Sequence, residues 1–295
     1  MSFRFRSVTF AVAVSCSLGL LACAPVDEGS TAGAPPSGSL TAGQGSCAPA
    51  GLKTLKPGSF TFGTDEPVYQ PWFSGNQPAN GKGFESAVAY AVAGALGYQR
   101  DQVSWVRVPF SAAIQPGAKT YDADLNEFSI TDERRKAVDF SAPYYEVAQA
   151  VVATKSSPVA AATTLAQLRG AKLGAQVGTT SYDATRQTID PTEQISVYNN
   201  NDDAKQALAT GQIQALVVDL PTAFEITGAA QVPDSVIVGQ LPASGKPEQF
   251  GAVLDKDSPL TACVSAAVQK LRGDGTLAKL TDEWLARAGR APELK

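Results

Sequence analysis

The sequence predicts an α/β protein whose sheets are mainly parallel. Short apolar, strand-like runs alternate with helix-like segments from about Gly58 onward, and this alternation is typical of parallel strands joined by helices. The chain has 295 residues, of which 44% are hydrophobic and 18% charged. That length suits one large domain or two smaller lobes, and the composition is that of an ordinary globular protein.

The predicted strands cover residues 59–64, 103–108, 122–127, 149–154, 172–176, 196–198, 215–219 and 250–254, and the predicted helices cover 83–96, 181–189, 201–210, 259–272 and 276–288. In the first helix, Phe84, Val88 and Val92 recur every four residues, so they share one face. Gly273 and Gly275 separate the last two helices, since glycine commonly ends a helix and permits a turn.

The first residues look like a targeting segment. Arg4 and Arg6 precede an apolar run over 10–21, which is too short to cross a bilayer as a mature helix. The run ends in LLAC, which resembles the lipobox of bacterial lipoproteins. This resemblance implies that residues 1–22 are a signal peptide, that Cys23 is lipidated, and that the protein is extracytoplasmic and anchored to the cell membrane. An ordinary secretory signal is the alternative.

Residues 23–50 are expected to form the lipid-anchored cysteine and a flexible tether. Between 24 and 46 nearly every residue is Ala, Gly, Pro, Ser or Thr, a composition that cannot bury enough surface to fold. Cys47 and Cys263 remain in the folded body, and two remaining cysteines in an exported protein usually pair. We therefore predict a disulfide between them, with two separate buried thiols as the alternative.

The chain contains no histidine, which excludes Ser-His-Asp and Cys-His nucleophile systems and histidine metal sites. Two distant cysteines do not make a zinc site either, so no cofactor or metal is expected. The formal net charge is −4 and there is no basic stripe, so nucleic acid is not an expected partner.

Polar and aromatic residues follow several predicted strands, where open α/β sheets bind ligands. Asp65 follows the first strand, and Tyr69 and Trp72 come shortly after it. The two aromatic residues are interpreted either as a wall of a ligand site or as part of the core.

Three further places have the same character. Arg134 follows Ser129 and Thr131 by about one turn, and its planar guanidinium matches a carboxylate, although a solvated surface charge is the simpler alternative. Thr179 and Thr180, after Gly178, are candidates for an anion site at a helix start or for a plain helix cap. Asp219 ends an apolar strand before Pro221, where helix N-capping is the alternative role.

Six segments occur in a characteristic order: GTDEPVYQPW, GKGFESAVAYAVAGALGY, SITDERRKAVDFSAPYYE, VGTTS, VVDLPTA and DGTLAKLTDEWL. In this order they resemble bacterial extracellular solute-binding proteins of family 3, the substrate-binding lipoproteins of polar amino-acid ABC transporters. The resemblance implies a two-lobed, periplasmic-binding-protein-like (type II) fold with two crossover strands. The first lobe is expected over 51–153 and 247–295 and the second over 154–246, with hinges near 153–156 and 244–248.

The resemblance also implies ligand-binding roles. Arg134 is expected to clamp the α-carboxylate of an amino acid, helped by Thr180, by the neighbouring Thr179 and by Ser129. Asp219 is expected to pair with the α-ammonium group.

The side chain of the ligand is expected to lie between Tyr69 and Phe110, with Asp65 facing its end. Glu127 departs from the small residue or glutamine of many relatives, and together with Asp65 it makes the pocket more negative. A basic or amide side chain is therefore favoured, because an unpaired buried carboxylate is costly. Alternatively, Glu127 pairs with a lysine or points away.

The expected function is the substrate-binding component of an ABC importer, a monomer that closes on a free amino acid, works with a permease and an ATPase, and is not an enzyme. One alternative on the same scaffold is a dehydratase of cyclic acids with Glu127 as the acid–base group. Another is an amino-acid sensor that takes no part in transport.

Overall fold

The computed structural model describes residues 41–42, 45–243, 245–285 and 291–295. The predicted signal peptide, Cys23 and most of the tether lie outside these residues. Within them, no helix combines the length and the apolar character needed to cross a membrane.

The strands of the described part of the chain are β1 (Thr41–Ala42), β2 (Gly45–Ser46), β3 (Phe60–Thr64), β4 (Val103–Arg107), β5 (Ala123–Asp124), β6 (Asp139–Phe140), β7 (Tyr145–Val147), β8 (Gln149–Thr154), β9 (Leu173–Gln176), β10 (Ser196–Tyr198), β11 (Ala215–Asp219), β12 (Ser235–Gln240), β13 (Glu248–Phe250) and β14 (Val253–Leu254). The helices are α1 (Phe84–Ala95), α2 (Phe110–Ala113), α3 (Thr180–Ala184), α4 (Asn201–Ala209), α5 (Leu220–Gly228), α6 (Thr261–Gly273) and α7 (Thr276–Leu285). A π-helical stretch, Thr185–Ile189, continues α3.

The first lobe is built on a five-stranded sheet in the order β4-β3-β5-β14-β6. Strand β3 is parallel to β4 and β5, whereas β14 runs antiparallel to β5 and β6. The apolar face of α1 that the sequence predicted is buried here, because Phe84, Val88 and Val92 pack in one core with Phe60 and Phe62. Helices α6 and α7 contribute to the same core.

The second lobe is built on the sheet β10-β9-β11-β8-β12. Strands β9, β10 and β11 are parallel, whereas β8 is antiparallel to both β11 and β12. The expected α/β, two-lobed fold is confirmed: in each sheet four strands run in one direction, and one strand, β14 or β8, runs antiparallel to its neighbours. The antiparallel strands are those adjacent to the passages between the lobes, where the chain reverses direction.

Two short strands connect the lobes. Strand β7 pairs antiparallel with β13, in the register Glu248 to Val147 and Phe250 to Tyr145. The two crossover strands implied by the resemblance are therefore present, but the first lies before residue 149 rather than at 153–156. Strand β8, which we expected to end the first lobe, lies inside the second sheet, where it pairs with β11 on one side and β12 on the other.

The last five residues also lie against the second lobe, not the first as we expected. Leu294 is buried in a core of the second lobe with Val238 and Leu241. The Gln240 N–H donates to Pro292 O at 2.8 Å, and the Leu294 N–H donates to Gln240 O at 2.9 Å. Gly239 makes this contact possible, since a Cβ there would lie 2.8 Å from both Leu294 and the Pro292 carbonyl.

The predicted disulfide between Cys47 and Cys263 is confirmed, with a Cα–Cα distance of 5.3 Å. Both cysteines are buried in the core of the first lobe, so the disulfide joins the start of the folded body to α6. The tether is consequently shorter than expected. Residues 47–50 belong to the body, and a short 3-10 helix spans Pro49–Gly51.

Candidate functional site

The two lobes contact each other across a cleft through hydrogen bonds between side chains. Trp72 Nε1 donates to Thr222 Oγ1 at 2.8 Å, and Thr222 Oγ1 donates to Glu127 Oε2 at 3.1 Å. The hydroxyls of Ser129 and Thr180 are 3.1 Å apart. The first lobe supplies Trp72, Glu127 and Ser129, so this arrangement is a closed one.

A pocket of about 40 Å³ lies in this cleft. The sequence-predicted residues that line it are Asp65, Tyr69, Phe110, Glu127, Arg134, Thr179, Thr180 and Asp219. Ser129, the remaining predicted residue, reaches the same place through its contact with Thr180. This volume holds only about three waters, so the lobes must separate to admit an amino acid.

Arg134 lies in the wall of the pocket and is only 9% exposed, so it is not a solvated surface charge. It begins a 3-10 turn (Arg134–Lys136), and its N–H donates to Thr131 Oγ1 at 3.1 Å. Its guanidinium donates to Ser129 O at 2.7 Å in the first lobe and to Gly178 O at 3.0 Å in the second. Of its five N–H donors, those that remain find no protein acceptor among the described residues.

The charge of Arg134 is affected by burial and by carboxylates. Burial lowers the pKa of its guanidinium, and the nearby charges of Glu248, Asp183 and Asp219 oppose this change. An arginine stays protonated in proteins, so the pocket contains a fixed cation.

The two threonines at the start of α3 have different roles. Thr179 is the N-cap: its hydroxyl accepts from the Tyr182 N–H at 3.2 Å and donates to Gln176 O at 2.8 Å. Thr180 instead directs its hydroxyl to Glu248, at 2.5 Å from Oε1. The simple capping role thus describes Thr179, and the Thr180 N–H lies in the first turn, where an N–H has no partner within the helix.

Asp219 ends β11 and precedes α5, but its side chain makes no capping hydrogen bond. Its Oδ1 accepts instead from Gln149 Nε2 at 2.7 Å. Burial and the charge of Glu248 raise the pKa of the Asp219 carboxyl well above its usual range.

Glu127 faces Asp219 across the cleft. Burial, and then the charge of Asp219, raise the pKa of the Glu127 carboxyl well above normal, and its side chain hydrogen-bonds to Asp219. Two carboxyl groups this close cannot both be ionised at low cost. In the closed cleft this closeness favours a proton shared between the two carboxyl groups.

The backbone of Glu127 is held by a buried residue behind the pocket. Glu127 has a left-handed conformation with φ of 55°, and its N–H donates to Glu85 Oε1 at 2.7 Å. Glu85 is fully buried and also accepts from the Tyr144 hydroxyl. Burial raises the pKa of Glu85 to about 7.

The two aromatic rings expected to enclose a ligand side chain each have one face covered. Phe110 stacks on Phe128 with ring centroids 4.9 Å apart. The Lys205 ammonium of the second lobe lies 4.9 Å from the Tyr69 ring centroid. Trp72, the other aromatic candidate, is fully buried against Phe84 and other core rings, so it belongs to the core.

Asp65 connects two of the loops that line the pocket. Its Oδ1 accepts from the Glu66 N–H at 2.7 Å, and its Oδ2 accepts from the Phe110 N–H at 3.1 Å. Burial raises the pKa of this carboxyl. Asp65 thus places Phe110 and adds to the acidity of this end of the pocket.

Residues 60–287 match the family model of bacterial extracellular solute-binding proteins, family 3. This chain belongs to that family.

Relatives of this solute-binding protein include two from Escherichia coli K12. The L-cystine-binding protein is 28% identical over 221 residues, which cover 74% of this chain and 80% of the relative. The lysine/arginine/ornithine-binding periplasmic protein is 29% identical over 242 residues, 77% of this chain and 88% of the relative. The crystal structure of an ancestral amino-acid-binding protein, described as a precursor of cyclohexadienyl dehydratase, has a TM-score of 0.65 at 28% identity and covers 77% of this chain and 96% of that one.

Several residues of this solute-binding protein's site were not predicted from its sequence. Thr222 bonds to both Trp72 and Glu127, and Gln149 and Glu248 extend the network behind Asp219 and Thr180. A polar residue at the start of the apolar run QAVVAT was the one signal that pointed to Gln149. Among the described residues, no cluster of three or more His, Cys, Asp or Glu side chains has the geometry of a metal site.

Proposed function

We propose that this protein is the substrate-binding component of an ABC importer for an L-amino acid with a basic or amide side chain. The observation that carries the proposal is that Arg134 of the first lobe and Asp219 of the second line one pocket. A guanidinium and a carboxylate on opposite sides match the α-carboxylate and the α-ammonium of an amino acid. The relatives named above, which bind cystine or basic amino acids, support the same function.

Binding by hinge closure follows from the way the groups are divided between the lobes. The ligand gains its full set of contacts only when Arg134, Asp219 and Thr180 come together, so its binding energy favours the closed form. Micromolar affinity needs a net free energy of about 8 kcal/mol. A two-pronged carboxylate–guanidinium pair and several charge-assisted hydrogen bonds are the strongest interactions available for this.

The preference for a basic or amide side chain comes from the acidic end of the pocket. Asp65 and Glu127 line it, and the buried Glu85 lies behind Glu127. A positively charged ligand side chain takes the place of the shared proton beside Glu127 and Asp219, whereas a carboxylate in the ligand side chain adds a further negative charge. Glutamate and aspartate are therefore disfavoured.

The proposed cellular location of the protein rests on its N-terminal sequence. We propose that Cys23 carries lipid, that the protein is held at the outer face of the cell membrane, and that it delivers its ligand to a permease and an ATPase as a monomer. No catalysis and no cofactor are part of this function.

A thermal-shift screen of the twenty amino acids, followed by calorimetry, tests the proposal. We expect arginine, lysine or glutamine to stabilise the protein, by about 2.7 kcal/mol at a hundredfold excess over Kd. Tight binding of glutamate without binding of arginine, lysine or glutamine would contradict the ligand class. A chain that responds to no amino acid would contradict the function itself.

A second candidate function, dehydration of a cyclic acid, is favoured by the raised pKa of the Glu127 carboxyl in the cleft. Such a group can protonate a leaving hydroxyl as a general acid, and the ancestral structural relative is described as a precursor of cyclohexadienyl dehydratase. Incubation with a cyclohexadienyl acid, followed by ultraviolet absorbance of an aromatic product, tests it. Turnover that is lost in Glu127→Gln would support the enzyme, and no turnover would leave the binding function alone.

A further inference from the structure

We propose that Glu248 is a positioning residue that holds the ligand-binding groups of the two lobes together and favours the closed cleft even without ligand. It lies on β13, one of the two strands that connect the lobes. This inference rests on the proposed ligand site for its functional meaning, but its first test needs no ligand.

One carboxylate oxygen of Glu248 joins the lobes. Its Oε1 accepts from the hydroxyl of Ser129, in the first lobe, and from the hydroxyl of Thr180, in the second. The two hydroxyls are themselves 3.1 Å apart. Hydrogen bonds to an ionised acceptor are roughly twice as strong as neutral ones, so this three-membered contact stabilises the closed arrangement.

The other carboxylate oxygen of Glu248 reaches the opposite end of the ligand site. Its Oε2 accepts from Gln149 Nε2 at 2.9 Å, and the same amide nitrogen donates to Asp219 Oδ1 at 2.7 Å. The carbonyl of the Gln149 side chain accepts from the Ser181 hydroxyl at 2.7 Å, and the side chain is only 5% exposed. The orientation of Gln149 is therefore fixed, and it links Glu248 to Asp219.

A single side chain thus touches both ends of the proposed ligand site. The Thr180 and Ser129 hydroxyls belong to the end that faces the α-carboxylate, and Asp219 belongs to the end that faces the α-ammonium. The charge of Glu248 also favours the ionised guanidinium of Arg134. When the lobes separate, Ser129 moves away from Thr180 and this network must break.

The surroundings of Glu248 make it suitable for substitution. A cavity of about 480 Å³ lies on the hinge side, and Gln149, Thr180 and Glu248 are among its lining residues. A shorter side chain at 248 is therefore exposed to water and does not create a sealed void in a core.

The test compares Glu248→Ala and Glu248→Gln with the wild type and with Glu146→Gln in the full chain. Glu146 is exposed on β7 and accepts from Gln249, the neighbour of Glu248, at 3.0 Å. Glu146→Gln removes the same charge from the same pair of strands, but among the described residues the only side-chain hydrogen bond of Glu146 is the one from Gln249. It is the matched control.

Without ligand, small-angle X-ray scattering is expected to give a larger radius of gyration for Glu248→Ala than for the wild type and the control. With L-arginine as the probe, stopped-flow kinetics are expected to give a dissociation rate about tenfold higher for Glu248→Ala, because each factor of ten corresponds to only about 1.4 kcal/mol. Glu248→Gln is expected to show a smaller increase, since its amide oxygen can still accept from Ser129 and Thr180, although its NH2 cannot accept from Gln149.

A radius of gyration and a dissociation rate equal to those of Glu146→Gln in both Glu248 variants would overturn the proposal, as would a slower dissociation. If L-arginine does not bind at all, the ligand class is wrong, and the ligand-free radius of gyration still decides whether Glu248 holds the lobes together.

Discussion

The two lobes contribute different kinds of groups to the pocket. The first lobe supplies Arg134, Glu127 and Asp65, charged groups fixed by neighbours such as Glu85 in the core behind them. The second lobe supplies mainly groups at helix starts, among them Thr180 and Asp219. We infer that the first lobe sets which side chain is accepted, whereas the second completes the grip on the part that all amino acids share.

The lobes also differ in covalent support, since the disulfide lies wholly in the first. Replacing Cys47 and Cys263 together by serine is expected to lower the free energy of unfolding by up to about 5 kcal/mol, because the cross-link closes a loop of 216 residues. Ligand affinity at low denaturant should stay unchanged, since neither cysteine lines the pocket. Urea unfolding and calorimetry measure the two effects. A large loss of affinity in a folded double variant would mean that the disulfide also shapes the cleft.

Of the substitutions that compare the two lobes, the one at Arg134 is expected to have the largest effect on ligand affinity. Arg134→Ala is expected to weaken amino-acid binding by roughly a hundred- to several thousandfold, because removing one partner of a buried ion pair costs about 3–5 kcal/mol. Arg135→Ala is the matched control, since Arg135 is an exposed neighbour on the same turn. Equal affinities of the two variants in calorimetry would show that the carboxylate binds elsewhere.

The buried carboxyl of Asp124 allows a test of whether the first lobe holds this group protonated. It is fully buried, neither of its carboxylate oxygens has a hydrogen-bond partner among the described residues, and its carboxyl fills space next to Gly63. Burial, and then the charges of Glu85 and Asp65, raise its pKa well above 3.8.

The folded protein therefore binds a proton on Asp124 that the unfolded chain releases at lower pH. Stability should fall as pH rises from the unfolded pKa towards the raised folded pKa, by about 1.4 kcal/mol per pH unit for one proton. Asp124→Asn should remove this slope, whereas Asp282→Asn, an exposed control, should keep it. Urea unfolding at several pH values measures it, and identical slopes in wild type and Asp124→Asn would mean that Asp124 is ionised in the fold.

Glu127 provides the smallest but most specific test. The pKa of its carboxyl is raised in the ligand-free cleft, and a bound cation is expected to lower it. We therefore expect proton release on binding and an affinity that rises with pH. Glu127→Gln should remove this pH dependence and weaken arginine binding about tenfold, a change of about 1.4 kcal/mol, with less effect on glutamine. Calorimetry in buffers of different ionisation enthalpy counts the released protons. No proton release in the wild type would contradict the shared proton.

The sequence was sufficient for the fold class and for eight of the residues that line the pocket, but not for Thr222. Asp65, Arg134, Thr180 and Asp219 each lie at or just after the end of a strand or at the start of a helical turn. Such positions gather at the ligand-binding edge of a sheet, here one edge in each lobe. The lobe boundaries could not be placed as well. An apolar run such as 149–154 shows that a strand is buried but not in which sheet, and the run SVIVGQ of β12 was missed.

The network around Glu248 could not be predicted from local patterns. Glu248 is 119 residues from Ser129 and 99 from Gln149, and it follows a stretch rich in glycine and proline that carries no periodic signal. The pairing of β7 with β13 and the β-bridge between Ser129 and Phe250 bring these side chains together. The contact of Leu294 with the second lobe could not be predicted either. It depends on the missing side chain of Gly239, and the sequence does not show that Leu294 packs there.

The docked C-terminus places the two ends of the folded body on different lobes. Cys47 is cross-linked into the first lobe, whereas the Lys295 N–H donates to Thr163 O at 3.1 Å in the second. A fluorescent donor attached just before Cys47 and an acceptor attached after Lys295 would therefore move with different lobes. The energy transfer between them would then change when the lobes close. Fluorescent proteins fused at these two positions would therefore make a genetically encoded sensor of ligand binding.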